Sequence, residues 1–218
     1  MWSGGDPILV PTAVFASGNG SNLQAVIDSV ADGDLPLELR LVVSNRPDAF
    51  ALTRAARSNI ASLVLPYAKS EESRAAYGLR LARAVRSKGV ELVLLLGWMH
   101  VLAPEFVGAG FAGILNLHPA YLPEDPAADR VTFPDGSTTA VFRGAHALRD
   151  ALEAGVKTTG ASLIEITPEI DRGPLLARRP FALRSGDDEK KALERLNDVE
   201  RDVVREGVRA WLRAKAYL

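Results

Sequence analysis

Continuous runs of Val, Leu and Ile recur along the first half of the chain: ILVPTAVF (8–15), LELRLVVS (37–44), ASLVLP (61–66), VELVLLL (90–96) and GILNL (113–117). Runs of this kind suit strands covered on both faces, as in a parallel sheet. Between them, SNLQAVIDSVADG (21–33), DAFALTRAARSN (48–59) and SEESRAAYGLRLARAVRSKG (70–89) predict helices. Each opens on a residue with a cap-forming side chain (Ser21, Asp48, Ser70), and two close on glycine (Gly33, Gly89). The order β-α-β-α-β-α-β with right-handed crossovers gives a doubly wound α/β sheet, whose ligands sit outside the C-terminal ends of the strands.

After His118 the rhythm changes. Residues 121–146 are rich in Pro, Gly, Asp and Thr, and within them VTFPDGSTTAVF alternates around Pro134-Asp135-Gly136, predicting a small hairpin. A helix (146–154), a strand (160–166) and another extended stretch (174–183) follow. From Asp187 to Ala216 the pattern predicts a final helix with Leu193, Leu196, Val199, Val203 and Trp211 on one stripe.

Composition narrows the class without choosing within it. The chain is 47% hydrophobic and 24% charged, an ordinary globular balance, and 26 basic against 27 acidic residues leave no cationic excess for nucleic acid. Zero cysteines exclude disulfides and thiolate metal sites. No apolar run approaches the ~20 residues of a bilayer span. With no leader-like segment, the expected location is the cytosol. The opening MWSGGDP (1–7) reads as a flexible tail.

Two stretches carry polar chemistry. In SGNGSNL, Gly18 and Gly20 remove Cβ atoms where a strand turns into a helix, and free N–H groups at that helix start favour an anion. The spacing matches neither the dinucleotide nor the P-loop motif, so a plain turn and an anion cradle both remain open. In ILNLHP, strand alternation sends Asn116 and His118 to the same face at a C-terminal strand end. An amide that donates to an oxyanion and an imidazole that moves a proton suit attack on a carbonyl. The alternative is a loop brace: His118 on a carbonyl and Asn116 capping a turn. Asp171, ahead of Arg172-Gly173-Pro174, lies in a turn, and spacing alone does not bring it to His118.

SGNGSNLQAVID, ILNLHPAYLP and IDRGP together resemble the phosphoribosylglycinamide formyltransferases, folate-dependent enzymes that formylate glycinamide ribonucleotide in purine synthesis. The similarity keeps its order from about Ile8 to the C-terminal helix through VVSNRPDAFALTRA (42–55), GWMHVLAPEF (97–106), HALRDALEAG (146–155) and TGASL (159–163). It implies a Rossmann-like formyltransferase fold: a mostly parallel twisted sheet, helices on both faces, a long C-terminal helix, and one domain over 8–218. It implies Asn116, His118 and Asp171 as the catalytic trio, and Gly18, Asn19, Gly20, Ser21 and Asn22 as holders of the substrate phosphate. Glu200 would bond the ribose hydroxyls and Arg74 would lie near the formyl-folate. Met99, His100, Val101 and Leu102, with Ile166, Thr167 and Glu169, would line the pterin pocket. The implied co-substrate is 10-formyltetrahydrofolate, with no metal, no nucleic-acid or membrane partner, and a monomer or homodimer.

Three departures stand out. His100 occupies a place where bacterial members usually carry Arg, and Ile164 one where many carry His. In addition, 20 residues, Glu124 to Arg143, separate Pro123 from Gly144, where the family commonly has only a few. A lid over the substrate cleft is the expected role of this insertion; a surface ornament is the alternative. Among related chemistries, a deformylase would add a domain before the cradle and methionyl-tRNA formyltransferase a basic domain after it. A sugar-nucleotide formyltransferase would not be expected to keep SGNGSNL. A non-catalytic phosphate-binding module is the competing class.

Overall fold

The computed structural model describes residues 8–218; the tail expected at 1–7 lies outside the described residues. Strand β1 (Val10–Phe15) leads to α1 (Ser21–Ala31), β2 (Leu37–Ser44), α2 (Phe50–Arg57), β3 (Ser62–Val64), α3 (Arg74–Arg86), β4 (Leu92–Leu95), α4 (Pro104–Val107) and β5 (Gly113–His118). Then come β6 (Arg130–Thr132), β7 (Thr138–Ala140), α5 (Ala147–Glu153), β8 (Thr158–Glu165), β9 (Leu175–Ala182) and α6 (Glu189–Ala214). Seven strands form one mostly parallel mixed sheet in the order β3-β2-β1-β4-β5-β8-β9, and β6 and β7 form a separate ribbon. β1 runs parallel to β2 and β4, and β2 to β3, whereas β5–β8 and β8–β9 are antiparallel. The fold divides into two compact units, one running to Ile114 and taking in Leu212–Leu218, the other Leu115–Trp211.

In the first unit, β1 and β4 are buried almost throughout, with Ala13, Phe15, Leu92, Val93 and Leu94 fully inside. This is why their sequences run apolar without alternation. Fully burying one such large apolar residue stabilises the fold by about 1.5–3 kcal/mol. The helix ends follow the pattern and the helix starts do not. Gly33 (φ 74) ends α1: its N–H donates to Val30 O (3.1 Å) and that of Asp34 to Ser29 O (2.8 Å), the paired bonds of a Schellman ending. Of the three expected caps, none serves. Ser21 is already helical behind Gly20, Asp48 pairs with Arg46 at 2.7 Å, and α3 is capped by Ser73, whose Oγ accepts from Ala76 N–H at 3.1 Å. Helix α3 starts four residues late because Glu71 and Glu72 spend their N–H groups on Ala68 O in a turn.

In the second unit, α6 buries three of the five residues expected on its stripe, Leu196, Val203 and Trp211, but not Leu193 or Val199. Ala192, Leu196, Glu200, Val203, Val204, Val208 and Trp211 are inside, whereas Leu193 is 43% exposed and Val199 half-buried. Successive i+3 steps fall short of a full turn by about 60° each, so 193, 196 and 199 drift off a common face. The rest of the stripe was hidden because small or charged residues occupy several of its positions. Gly207 lets α6 approach β8: a Cβ there would sit 2.6 Å from Leu163 Cδ2 and 2.9 Å from Leu163 Cβ. Arg179 on β9 ties to α6 through Asp202 (2.9 Å) and Glu206.

The expected hairpin is present. β6 pairs antiparallel with β7, Thr132 opposite Thr138, and Gly136 (φ 84) turns the backbone while Asp135 Oδ1 accepts from the Ser137 N–H at 2.9 Å. Phe133 stacks on Tyr121 with ring centres 4.9 Å apart, and Val131 and Val141 complete a small satellite core. Among the described residues, no helix is long and apolar enough to cross a membrane.

Gly207→Val tests the helix–sheet contact. Three added carbons have no room against Leu163, so the variant should lose about 2 kcal/mol or more of unfolding free energy. An unchanged urea midpoint would show that α6 can stand off from β8.

Candidate active site

Strand β5 delivers Asn116 and His118 to one face, as alternation requires, with Asn116 half-buried and His118 4% exposed. The turn between β8 and β9 brings Asp171 to them. Its Oδ2 lies 3.5 Å from His118 Nδ1 and accepts the Gly144 N–H at 2.7 Å, while its Oδ1 accepts from Asn116 Nδ2 at 3.4 Å. Asp171 has a positive φ of 52°, a left-handed conformation that Asp tolerates better than most residues. The other imidazole nitrogen, Nε2, is 3.0 Å from the Phe142 carbonyl. A carbonyl only accepts, so Nε2 carries a proton and donates. Nδ1 lies beside the Asp171 carboxylate, so the two ring nitrogens face two different protein oxygens.

The trio expected from resemblance is thus assembled. Sequence reasoning missed Phe142 and Gly144, which act through a backbone carbonyl and a backbone N–H; only the glycine, at φ 83, leaves any trace in the sequence.

The Gly18–Asn22 loop belongs to the first unit. Gly20 stands at the start of α1 with φ 70, and a Cβ there would lie 2.8 Å from Ala51 Cβ. Glycine is required at this position by both conformation and space. The Ala51 N–H donates to Gly18 O at 3.1 Å, and Arg54 reaches back from α2 to Asn19 O (2.9 Å) and Asn19 Oδ1 (3.3 Å). Helix α2 thereby fixes the loop and brings a positive charge to it. Asn22 is buried.

A second feature of this unit is a cavity of about 250 Å³ lined by Tyr67, Arg74, Trp98, Met99, His100, Val101 and Leu102 with the inner faces of α3 and α4. Five of the residues expected around a folate, Arg74 and Met99 to Leu102, therefore share one pocket. Arg74 Nη2 donates to Val101 O at 2.8 Å and so holds the 99–102 segment. Aromatic rings form the wall: His100 sits edge-on to Tyr67 (6.1 Å) and Trp98 (6.0 Å). Trp98 Nε1 is buried with no hydrogen-bond acceptor among the described residues. Burial first, and the Arg74 charge second, push the His100 imidazole below its ordinary pKa. Burial also pushes the Tyr77 phenol up to about 12, its hydroxyl donating to Leu65 O at 2.8 Å.

Ile166, Thr167 and Glu169 belong to the second unit, in the segment leading to Asp171, where Thr167 Oγ1 donates to Glu169 O at 3.2 Å. Ile164 is buried on β8 opposite Asn116 in the β5–β8 register. Glu200 is 4% exposed within the α6 stripe, a placement that helix packing alone does not call for. His146 precedes α5 at its N-cap position. Among the described residues no group of three or more His, Asp or Glu is arranged to hold a metal.

Residues 11–208 match the formyl transferase family, and the protein belongs to that family. It is 35% identical to the phosphoribosylglycinamide formyltransferase of Escherichia coli (strain K12) over 187 residues, 86% of this chain and 80% of that protein. It is 32% identical to the trifunctional purine biosynthetic protein adenosine-3 of Drosophila pseudoobscura pseudoobscura over 190 residues, and spans only 13% of that longer relative. The crystal structure of glycinamide ribonucleotide transformylase 1 from Symbiobacterium toebii matches it with a TM-score of 0.82 at 30% identity, covering 99% of this chain and 94% of that one.

Two measurements check these local geometries. Gly20→Ala, which meets both a left-handed φ and the Ala51 contact, should lower unfolding free energy by about 2 kcal/mol. Gly18→Ala has no atom of the described residues within 4 Å of its new Cβ and should stay within about 0.5 kcal/mol; equal losses in chemical denaturation would contradict this account of the loop. For His100, the unfolded state binds the extra proton between the lowered folded pKa and the ordinary value, so stability falls as pH drops through that window. Replacing His100 by Gln should flatten this part of the pH–stability curve, and an unaltered slope would mean the imidazole is not desolvated.

Proposed function

We propose that the protein transfers the formyl group of 10-formyltetrahydrofolate to the amine of glycinamide ribonucleotide. The observation that carries this reading is the Asp171 carboxylate engaged with both Asn116 and His118, in a member of the formyl transferase family. The formyl-folate would supply the one-carbon unit as co-substrate. Asn116 Nδ2 donates to the oxyanion that develops as the amine attacks, and His118 Nε2 does the same after exchanging the Phe142 carbonyl for it. Each such donor is worth roughly 3–4 kcal/mol in the transition state. Asp171 holds the ring in place and balances its positive charge when the imidazolium forms; as the bond from the formyl carbon to N10 of the folate breaks, it helps pass the amine proton through water to the leaving N10.

Binding roles follow from local chemistry. Gly18, Asn19, Gly20, Ser21 and Asn22 hold the phosphate at the α1 start, where the helix dipole favours an anion. Arg74 and Met99 to Leu102 take one ring system of the folate. The cavity of about 250 Å³ falls below the ~300–1,000 Å³ of sites that enclose a whole drug-sized ligand. The pterin is the apt occupant, with the Trp98 N–H as a donor to it. On the second unit, Ile166, Thr167 and Glu169 offer contacts to a folate, and Glu200 accepts from ribose hydroxyls. The enzyme works on small molecules, in the cytoplasm.

Mixing protein, glycinamide ribonucleotide and 10-formyltetrahydrofolate and following folate absorbance tests the reading. His118→Ala should lose about 100-fold or more in turnover while keeping its affinity for glycinamide ribonucleotide. Asn116→Ala should lose about 100- to 1,000-fold in kcat. A wild-type protein without transfer, or His118→Ala retaining full turnover, would leave a binding module as the better description.

A further inference from the structure

The inserted segment Glu124–Arg143 is held together from within by Arg143 and tied to the β8–β9 turn by Arg172, beside the Arg178–Glu124 pair (3.0 Å) and the Tyr121–Phe133 stack. Arg143 Nη2 donates to Pro126 O (3.1 Å) and Ala128 O (2.8 Å), and its Nη1 lies 3.7 Å from Asp129 Oδ1. Arg172 Nη1 donates to the same Pro126 O at 2.6 Å, and its Nη2 reaches the same Asp129 oxygen at 3.5 Å. Val141 N–H donates to Asp129 O at 3.0 Å, closing the strap on itself. The arginines' own neighbours make this consequential. Arg143 stands between Phe142, whose carbonyl holds His118 Nε2, and Gly144, whose N–H holds Asp171. Arg172 directly follows Asp171, the residue with φ 52.

We propose that Arg143 and Arg172 are positioning residues: by clamping the Pro126–Asp129 strap they fix the Phe142 carbonyl and the Asp171 carboxylate on the two nitrogens of His118. A lid is what the length of the insertion suggests; its contacts assign it to bracing the general acid–base group from behind. Burial, and the neighbouring Arg172 charge, lower the Arg143 pKa, opposed by Asp129 and Asp171. The guanidinium is thus enclosed, and the strap carbonyls and Asp129 compensate its charge. Asp129 itself is 84% exposed, so its role is charge and not packing.

The inference rests on the transfer reaction proposed above, and the experiment separates the two. Arg143→Met, Arg143→Lys and Asp129→Asn are compared with wild type for kcat, KM, the pH profile of kcat and the ¹⁵N shifts of the His118 ring. Melting temperature confirms folding; Asp129→Asn, at an exposed position, is the variant least able to disturb it. Misplacing a catalytic group by a fraction of an ångström to an ångström costs up to about 100-fold. Arg143→Met should therefore lower kcat about 10-fold or more with both KM values within about twofold, displace the pH profile, and move the Nε2 resonance. Arg143→Lys, which keeps the charge but loses the fork, should recover part of kcat, and Asp129→Asn should fall between. Unchanged kcat, pH profile and ring shifts in the folded variants would overturn the clamp, as would a rise in KM with kcat intact, the signature of a cover. If wild type shows no transfer, the proposed function fails by itself, and the ring shifts still decide the clamp.

Discussion

A carboxylate on a left-handed residue is the constraint from which the second unit's site is built. Asp171 sits at φ 52 in the turn between β8 and β9 and accepts from the Gly144 N–H and from Asn116, with His118 Nδ1 beside it. A backbone in that region is retained only where its surroundings over-determine it. Here the surroundings are an antiparallel strand pair on one side and the Gly144 turn on the other. Moving the carboxylate would release two donors and one imidazole together, so the trio holds or fails as a unit.

The first unit solves a different problem with the opposite device. No charged group anchors the Gly18–Asn22 loop from within. Gly20 omits a side chain so that the loop lies against Ala51, and Arg54 reaches across to Asn19. Close backbone approach at a helix start suits phosphate. A fixed imidazole with a buried carboxylate suits proton transfer.

Much of this was legible in the amino-acid order. Strand β2 spans the residues its pattern marked, and Asn116 and His118 share a face because alternation along β5 demands it. The Gly33 ending was readable because only glycine takes that conformation without strain. What stayed hidden had physical reasons. Asp171 is 55 positions from Asn116, and no local rule spans such a distance; only resemblance to known enzymes joined them. The Phe142 carbonyl and Gly144 N–H are backbone groups that any residue could carry. On α6, Leu196, Val203 and Trp211 marked the inner face correctly, but Ala192, Glu200 and Gly207 also occupy it, and their small or charged side chains gave no sign of that. At the helix starts, Ser21 and Asp48 have the chemistry of caps, but loop packing and an ion pair claimed their positions.

Strand β9 is the last in the sheet order. Its central residues are Arg178, Arg179 and Pro180, the proline opposite Gly160 on β8. Proline has no N–H to extend a ladder, and Arg178 and Arg179 turn aside to Glu124 and to Asp202 and Glu206. The open margin of the sheet is therefore blunted against recruiting strands from other molecules, a safeguard against aggregation written into the same segment that anchors the long helix.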